Sequence, residues 1–401
     1  MEPKALDLGA GIQLTPMTLI IVSLVFVTLY KKYFAKKDED KSSIHMGKAD
    51  LFIFLFYISS VISYISMPHI NVLYGLMKIG EAIILYYLLR KYLNREMIPG
   101  VAKIIIFSFI YQMVLGLLQG ALQRNIGLTT ELVTQTSPYG FTASENDALY
   151  RVTGVFGHPN FLASFLLIFL PFIFYYLKDS LWSSIIKILA VVAMIFTYSR
   201  LAWFLTLIFL IMYFYQKKDI YLKLLRKNVK SLGLGLLGCI MLLIILFPYL
   251  NARISTVSEA FEDPGSMTTR FKLAEEALNL IVQFPLTGVG LNRSLEYYSQ
   301  YPVTDFFQGF IPTSFFKIHS LFLEIAAEAG LPALLFFLIF IYLVIVKYIR
   351  DTKSNQSKEM SIFRKSAFYG FVLFLIFSNF HPFLFSNQMR YFFLLSAIIL
   401  A

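Results

Sequence analysis

The chain has 401 residues, of which 58% are hydrophobic and only 15% charged, with a formal net charge of +11. A water-soluble chain of this length could not hide so much apolar surface in one core, so the composition excludes an ordinary soluble enzyme and describes a membrane protein. The positive charge does not read as a nucleic-acid surface, because the basic residues lie in short segments between apolar runs.

In chain order, the apolar runs predict transmembrane helices at 14–30, 50–67, 71–89, 99–120, 160–177, 185–198, 201–216, 232–250, 331–349, 366–380 and 391–401. The expected fold is an all-α polytopic membrane protein with about eleven (10–12) spans. It forms a single integral membrane domain, 1–401, with a large external loop containing short helices. The first run lacks a small-residue cleavage site and is expected to stay as the first span. The single cysteine, Cys239, excludes a disulfide framework and a cysteine-based metal site.

Alternating the connections places 23 of the 35 basic residues on one side and 10 on the other, with Lys78 and Lys103 inside spans. The positive-inside rule makes the first side cytoplasmic. Two long loops, 121–159 and 251–330, then lie outside. They are rich in Ser, Thr, Asn, Gly, Pro and Tyr, and four of the five histidines (His69, His158, His319 and His381) share their side. Chemistry is expected on that face.

Within the third span, Lys78 and Glu81 are an ionisable pair in hydrocarbon; such groups face a cavity or a partner helix, or neutralise each other. Arg151 precedes the glycine-punctuated turn Thr153–Gly157, which enters the next span through His158, Pro159 and Asn160. Its alternative role is a salt bridge with Glu145 or Asp147. Arg200 follows Thr197, Tyr198 and Ser199 at the outer tip of a hairpin, where it could equally be an interfacial anchor. The loop 251–330 contains an amphipathic helix, Met267 to Phe284, expected to present Phe271, Ala274, Leu278 and Ile281 on one face, with Arg270 on the wetter side. After Pro285, Thr287–Gly290 predicts a tight, flexible turn.

His319 precedes a short helix containing Glu324 that leads back toward the bilayer. Half-buried and wet, it suits a general base; capping that helix is the competing role. Arg151, Arg200 and Arg270 are three guanidinium groups on a face otherwise poor in cations, and their planar donors match phosphate oxygens. Tyr298 and its aromatic neighbours could stack on sugar rings or form an interfacial belt. No spacing of acids suggests a metal site, and no cofactor motif is present.

These residues resemble the superfamily of O-antigen ligases and Wzy-type O-antigen polymerases. The resemblance is carried by Gly157-His158-Pro159-Asn160, Thr197-Tyr198-Ser199-Arg200, Arg270, Pro285 to Gly290, and His319 before Leu323-Glu324 and Glu328 to Pro332. It covers about residues 150 to 350. Ser320 departs from the asparagine usual after the histidine, although serine can also cap a helix.

The resemblance implies a metal-independent, inverting glycosyl transfer without a cofactor, on the outer face of the bacterial cytoplasmic membrane. The donor would be an oligosaccharide on undecaprenyl pyrophosphate. His319 would act on an acceptor hydroxyl while Arg200 and Arg270 hold the pyrophosphate, with Arg151, His158, Asn160, Glu324, Tyr298 and Lys78 as further substrate-binding candidates. Polymerisation of repeat units is the first expectation and ligation to a lipid A core the second. A chain-length regulator and a flippase are expected partners, and nucleic acid is not. A secondary transporter or flippase is the alternative of another class, favoured only by Lys78 and Glu81.

Overall fold

The computed structural model describes residues 6–7, 13–14, 47–93, 96–132, 141–142, 148–219, 247–248, 251, 266–303, 317–352 and 357–401. Among them the helices are α1 (Lys48–Ser66), α2 (Ile70–Tyr92), α3 (Ile98–Leu122), α4 (Thr129–Leu132), α5 (Pro159–Tyr175), α6 (Leu181–Phe196), α7 (Arg200–Gln216), α8 (Ser266–Gln283), α9 (Ser294–Gln300), α10 (Leu321–Asp351), α11 (Lys358–Phe377) and α12 (Asn387–Leu400). Two antiparallel pairs of two-residue strands, Leu6–Asp7 with Gln13–Leu14 and Phe141–Thr142 with Ala148–Leu149, are the only strands described. Five helices, α1, α2, α3, α10 and α11, are long and apolar enough to cross a bilayer, and α5, α6 and α7 are apolar but shorter. Nine of the expected spans coincide with helices, while 14–30 and 232–250 lie almost entirely outside the described residues.

The helix starts follow from local capping chemistry. The imidazoles of His69 and His158 accept the backbone N–H groups of Asn71 and Asn160 at 3.2 and 3.1 Å, and Pro159 occupies the first turn of α5, where no N–H is needed. Ser180, Ser320 and Ser357 cap α6, α10 and α11 in the same way. The serine that departs from the family pattern at position 320 therefore does cap its helix.

The chain divides into two compact units, residues 1–102 with 269–401, and residues 103–268. In the first, α1 packs on α10 through Phe56 and Phe337, with ring centroids 5.2 Å apart. Helix α12 is held between α2 and α11 by Tyr86 against Phe393 and by Phe371 and Phe374 against Phe392. In the second, every residue of α5 from Leu162 to Phe174 is buried, so this helix is apolar on all sides, with α6 and α7 packed around it.

Helix α10 is broken at Gly330, whose φ of 87° and ψ of 167° are open essentially to glycine alone. Pro332, two residues on, has no N–H to offer the carbonyl of Glu328. Leu331 turns its N–H away to the carbonyl of Pro285 at 2.8 Å, which leaves the carbonyl of Ala327 without its helical donor. The loop after α8 supplies the missing donors: Val289 N–H reaches Ala327 O at 2.9 Å and Gly290 N–H reaches Glu328 O at 3.0 Å. The Ser63 hydroxyl adds a second bond to Glu328 O at 2.9 Å. The expected flexible turn at Thr287–Gly290 is thus pinned, because it completes a helix that its own sequence interrupts.

Both glycines are required at this junction. A Cβ at Gly288 would lie 2.3 Å from the Glu328 backbone, and one at Gly330 would lie 2.3 Å from the Leu286 carbonyl oxygen. Gly288→Ala and Gly330→Ala should each lose about 2–4 kcal/mol, from left-handed backbone strain and overpacking together. Gly100→Ala, which meets nothing within 4 Å, is the control. Thermal unfolding of the purified variants checks this; wild-type midpoints for both glycine variants would show that the break does not hold the loop.

Candidate functional site

In the first unit, α8, the loop Pro285–Arg293, α9 and the start of α10 enclose an apolar cluster of Leu273, Ala277, Leu280, Val289, Tyr298, Ile318 and Ala327. The buried face of α8 therefore differs from the expected one: Phe271 and Leu278 are exposed, and the stripe Leu273, Ala277 and Leu280 turns inward. The reason is Glu276 on the same inward face. Its carboxylate accepts the Val303 N–H at 2.9 and 3.1 Å, so a buried acid is satisfied and fixes the helix rotation. Two apolar stripes were available, and the polar partner selected one. Tyr298 lies inside this cluster with no exposed surface, and burial beside Glu328 pushes its phenol pKa up. Tyr297 and Tyr301 keep accessible ring surface.

Glu328 organises the other side of the loop. Its carboxylate accepts the N–H of Asn292 at 2.6 Å and the N–H and hydroxyl of Ser294 at 3.3 and 2.6 Å. Asn292, in the left-handed conformation at φ 60°, accepts from Lys317 Nζ at 2.6 Å through its side-chain oxygen. Glu324, one turn before Glu328 on α10, is buried and accepts the N–H of Leu384 at 3.4 Å. The Lys317 ammonium lies 5.3 Å from the ring centroid of Phe385 in the same segment.

His319 lies one residue before the Ser320 cap of α10. Its Nδ1 is 2.7 Å from the carbonyl oxygen of Lys317, a contact that requires a proton on Nδ1 and leaves the lone pair on Nε2. Burial, joined by the positive charge of Arg270 and opposed by the Lys317 carbonyl, lowers its pKa to about 4. At neutral pH the ring is uncharged with an acceptor nitrogen, the form a general base requires. The ring of His381, buried and stacked on Phe377 at 4.6 Å, lies 6.4 Å away.

The second unit groups the remaining arginine candidates. Arg151 donates from Nε to the Thr197 carbonyl at 3.0 Å and from NH2 to Asn160 Oδ1 at 3.1 Å. The expected salt-bridge partners Glu145 and Asp147 lie outside the described residues. Arg151 is thereby tied to both the His158–Asn160 turn and the hairpin tip that carries Arg200. That tip is tightly constrained: Tyr198 is buried with φ at 52°, and the Thr197 hydroxyl donates to Met194 O at 2.7 Å. Arg200 begins α7 immediately after it. His158 acts as the cap of α5 described above.

Lys78 lies 3.8 Å from Glu81, and Glu81 also accepts from Arg390. Arg390 lies buried in the first turn of α12, bound to Glu81 and Asn387. The cause is Glu81: an acid within an apolar helix draws a guanidinium from the adjacent helix to neutralise it. Reading the sequence alone missed Lys317, Asn292 and Glu328 as site organisers. The available signal was Lys317 itself, a cation two residues before the candidate base on a face with few cations. Among the described residues no group of three or more His, Cys, Asp and Glu side chains is placed to hold a metal ion.

Residues 185–338 match the family model described as O-Antigen ligase. No curated protein matches the chain.

Two outcomes follow from the His319 geometry. Nitrogen chemical shifts of labelled histidine should report the Nδ1–H tautomer and a neutral ring down to about pH 5; an Nε2–H tautomer would contradict the contact to Lys317. Because the folded pKa of about 4 lies below the ordinary 6.5, the unfolded chain takes up the proton first. The stability this residue contributes is therefore complete above pH 6.5 and lost as pH falls from 6.5 toward 4. Chemical unfolding across that range should lose this acid-side slope in His319→Gln.

Proposed function

We propose, from the premise that residues 185–338 form an O-antigen ligase-type domain in a multi-pass membrane protein, that the chain transfers a glycan from a polyprenyl-pyrophosphate carrier to an acceptor sugar. Transfer takes place on the outer face of the cytoplasmic membrane, the side assigned by the distribution of lysine and arginine. The observation that carries this reading is the pairing of a neutral histidine, its tautomer fixed by the Lys317 carbonyl, with the charge of Arg270 acting on it.

Nε2 of His319 takes the proton of the acceptor hydroxyl as its oxygen attacks the anomeric carbon. The bond from that carbon to the diphosphate oxygen breaks with inversion, and the diphosphate leaves with the bonding pair. Arg270 offsets the charge that grows on the leaving group. The same pair couples binding to catalysis. The charge of Arg270 disfavours proton uptake by the imidazole; a diphosphate on Arg270 offsets that effect and makes His319 a stronger base when a donor is present. Arg200 carries the diphosphate-binding role that the resemblance gives it, with Arg151 and Asn160 positioning the hairpin tip from which it projects. Diphosphate is a good leaving group, so the step is written without a metal ion.

Extension of a lipid-linked chain is the favoured acceptor reaction. Ligation to a lipid A core is the second reading, favoured by the description of the matching family. Purified protein incubated with a defined lipid-linked repeat unit should give a ladder of products, whereas a single product on a lipid core acceptor would select ligation. His319→Ala and Arg270→Ala should each lose about 10²–10⁴-fold in rate at normal membrane insertion. Chelators should leave the rate unchanged. Full activity of His319→Ala would overturn the base assignment.

A further inference from the structure

At the far end of α10 from His319, roughly 40 Å along the helix, four helix ends of the first unit converge on a cleft of about 230 Å³. They are the start of α1 and the ends of α2, α10 and α12. Its floor is apolar, formed by Leu343, Val346 and Leu400. Its rim carries Lys48, Arg90, Lys347 and Arg350.

Acids account for only part of this charge. Arg90 is committed to Asp50, at 2.6 and 2.7 Å, and Tyr86 also donates to Asp50 at 2.7 Å. Lys347 shares Asp351, at 2.9 Å, with Arg364, at 2.8 Å. Among the described residues neither Lys48 nor Arg350 makes an ion pair. The cleft therefore keeps a positive rim above a hydrocarbon floor, at helix ends that the lysine and arginine distribution assigns to the cytoplasmic side.

We propose that this cleft binds an anionic glycerophospholipid of the adjoining leaflet, with its phosphodiester between Lys48 and Arg350 and an acyl chain against Leu343, Val346 and Leu400. Each half of the site fits one half of such a molecule. An apolar floor alone would suit any acyl chain, and a basic rim alone any soluble anion, but together they select a charged headgroup attached to a chain. The lipid would bridge the end of α10 and the start of α1, the two helices whose other ends carry the broken segment and Ser63. The leaflet assignment rests on the orientation proposed above; the binding does not, and it can be measured without any transfer assay.

The full chain, purified in detergent, is titrated with phosphatidylglycerol, phosphatidylcholine or inorganic phosphate, with retained lipid read by native mass spectrometry and the unfolding midpoint read in parallel. Phosphatidylglycerol should be retained and raise the midpoint, while phosphatidylcholine and phosphate should not. The double variant Lys48→Gln with Arg350→Gln should bind phosphatidylglycerol about 30-fold more weakly. Val346→Trp, which fills the floor without altering charge, should abolish retention. Equal retention of phosphatidylcholine would overturn the proposal, as would undiminished binding by the double variant. Displacement of the lipid by millimolar phosphate would also overturn it, by showing a simple anion site.

Discussion

The structure around the candidate base depends on an interrupted hydrogen-bond ladder. In a low-dielectric setting a helix cannot leave carbonyls without donors, since each orphaned group costs several kcal/mol. Gly330 and Pro332 create such carbonyls at Ala327 and Glu328, and the N–H groups of Val289 and Gly290 satisfy them. The loop after α8 is therefore bound to α10 by the same bonds that make the break tolerable. His319 enters the same helical segment through the cap at Ser320. Base, loop and helix share one frame: the imidazole of His319 is set by the Lys317 carbonyl, and the Lys317 ammonium reaches Asn292 in the loop.

Charge is handled in two ways. Along the apolar helices acids meet cations: Asp50 with Arg90, Glu81 with Lys78 and Arg390, and Asp351 with Lys347 and Arg364. Around the candidate base, acids instead meet backbone N–H groups, Glu276 at Val303 and Glu328 at Asn292 and Ser294. The positive charge of Arg270 disfavours protonation of the imidazole.

Much of this was legible in the sequence because apolar run length and glycine–proline punctuation act locally. The helices near 50–67, 71–89, 99–120 and 331–349 needed only length and hydropathy, and Ser320 only its place before an apolar run. The rotation of α8 was not legible. Phe271–Leu278 and Leu273–Leu280 have equivalent periodicity, and the choice between them rests on Glu276 reaching Val303, 27 residues away. The pairing of Glu81 with Arg390 was not legible for a similar reason, since the two lie 309 residues apart. The residues named for chemistry could be listed from sequence, but the tautomer of His319 and the anchoring of Arg151 to Thr197 depend on contacts that no spacing encodes.

The attachment of the Pro285–Asn292 loop to α10 has an evolutionary corollary. Two of the bonds that hold the segment come from the backbone amides of Val289 and Gly290, a group that every residue but proline possesses. The Thr287 side chain can drift without loosening these bonds, whereas Val289 is also held by its place in the apolar cluster. A segment suspended from main-chain bonds can therefore keep its shape while the side chains on its exposed surface vary.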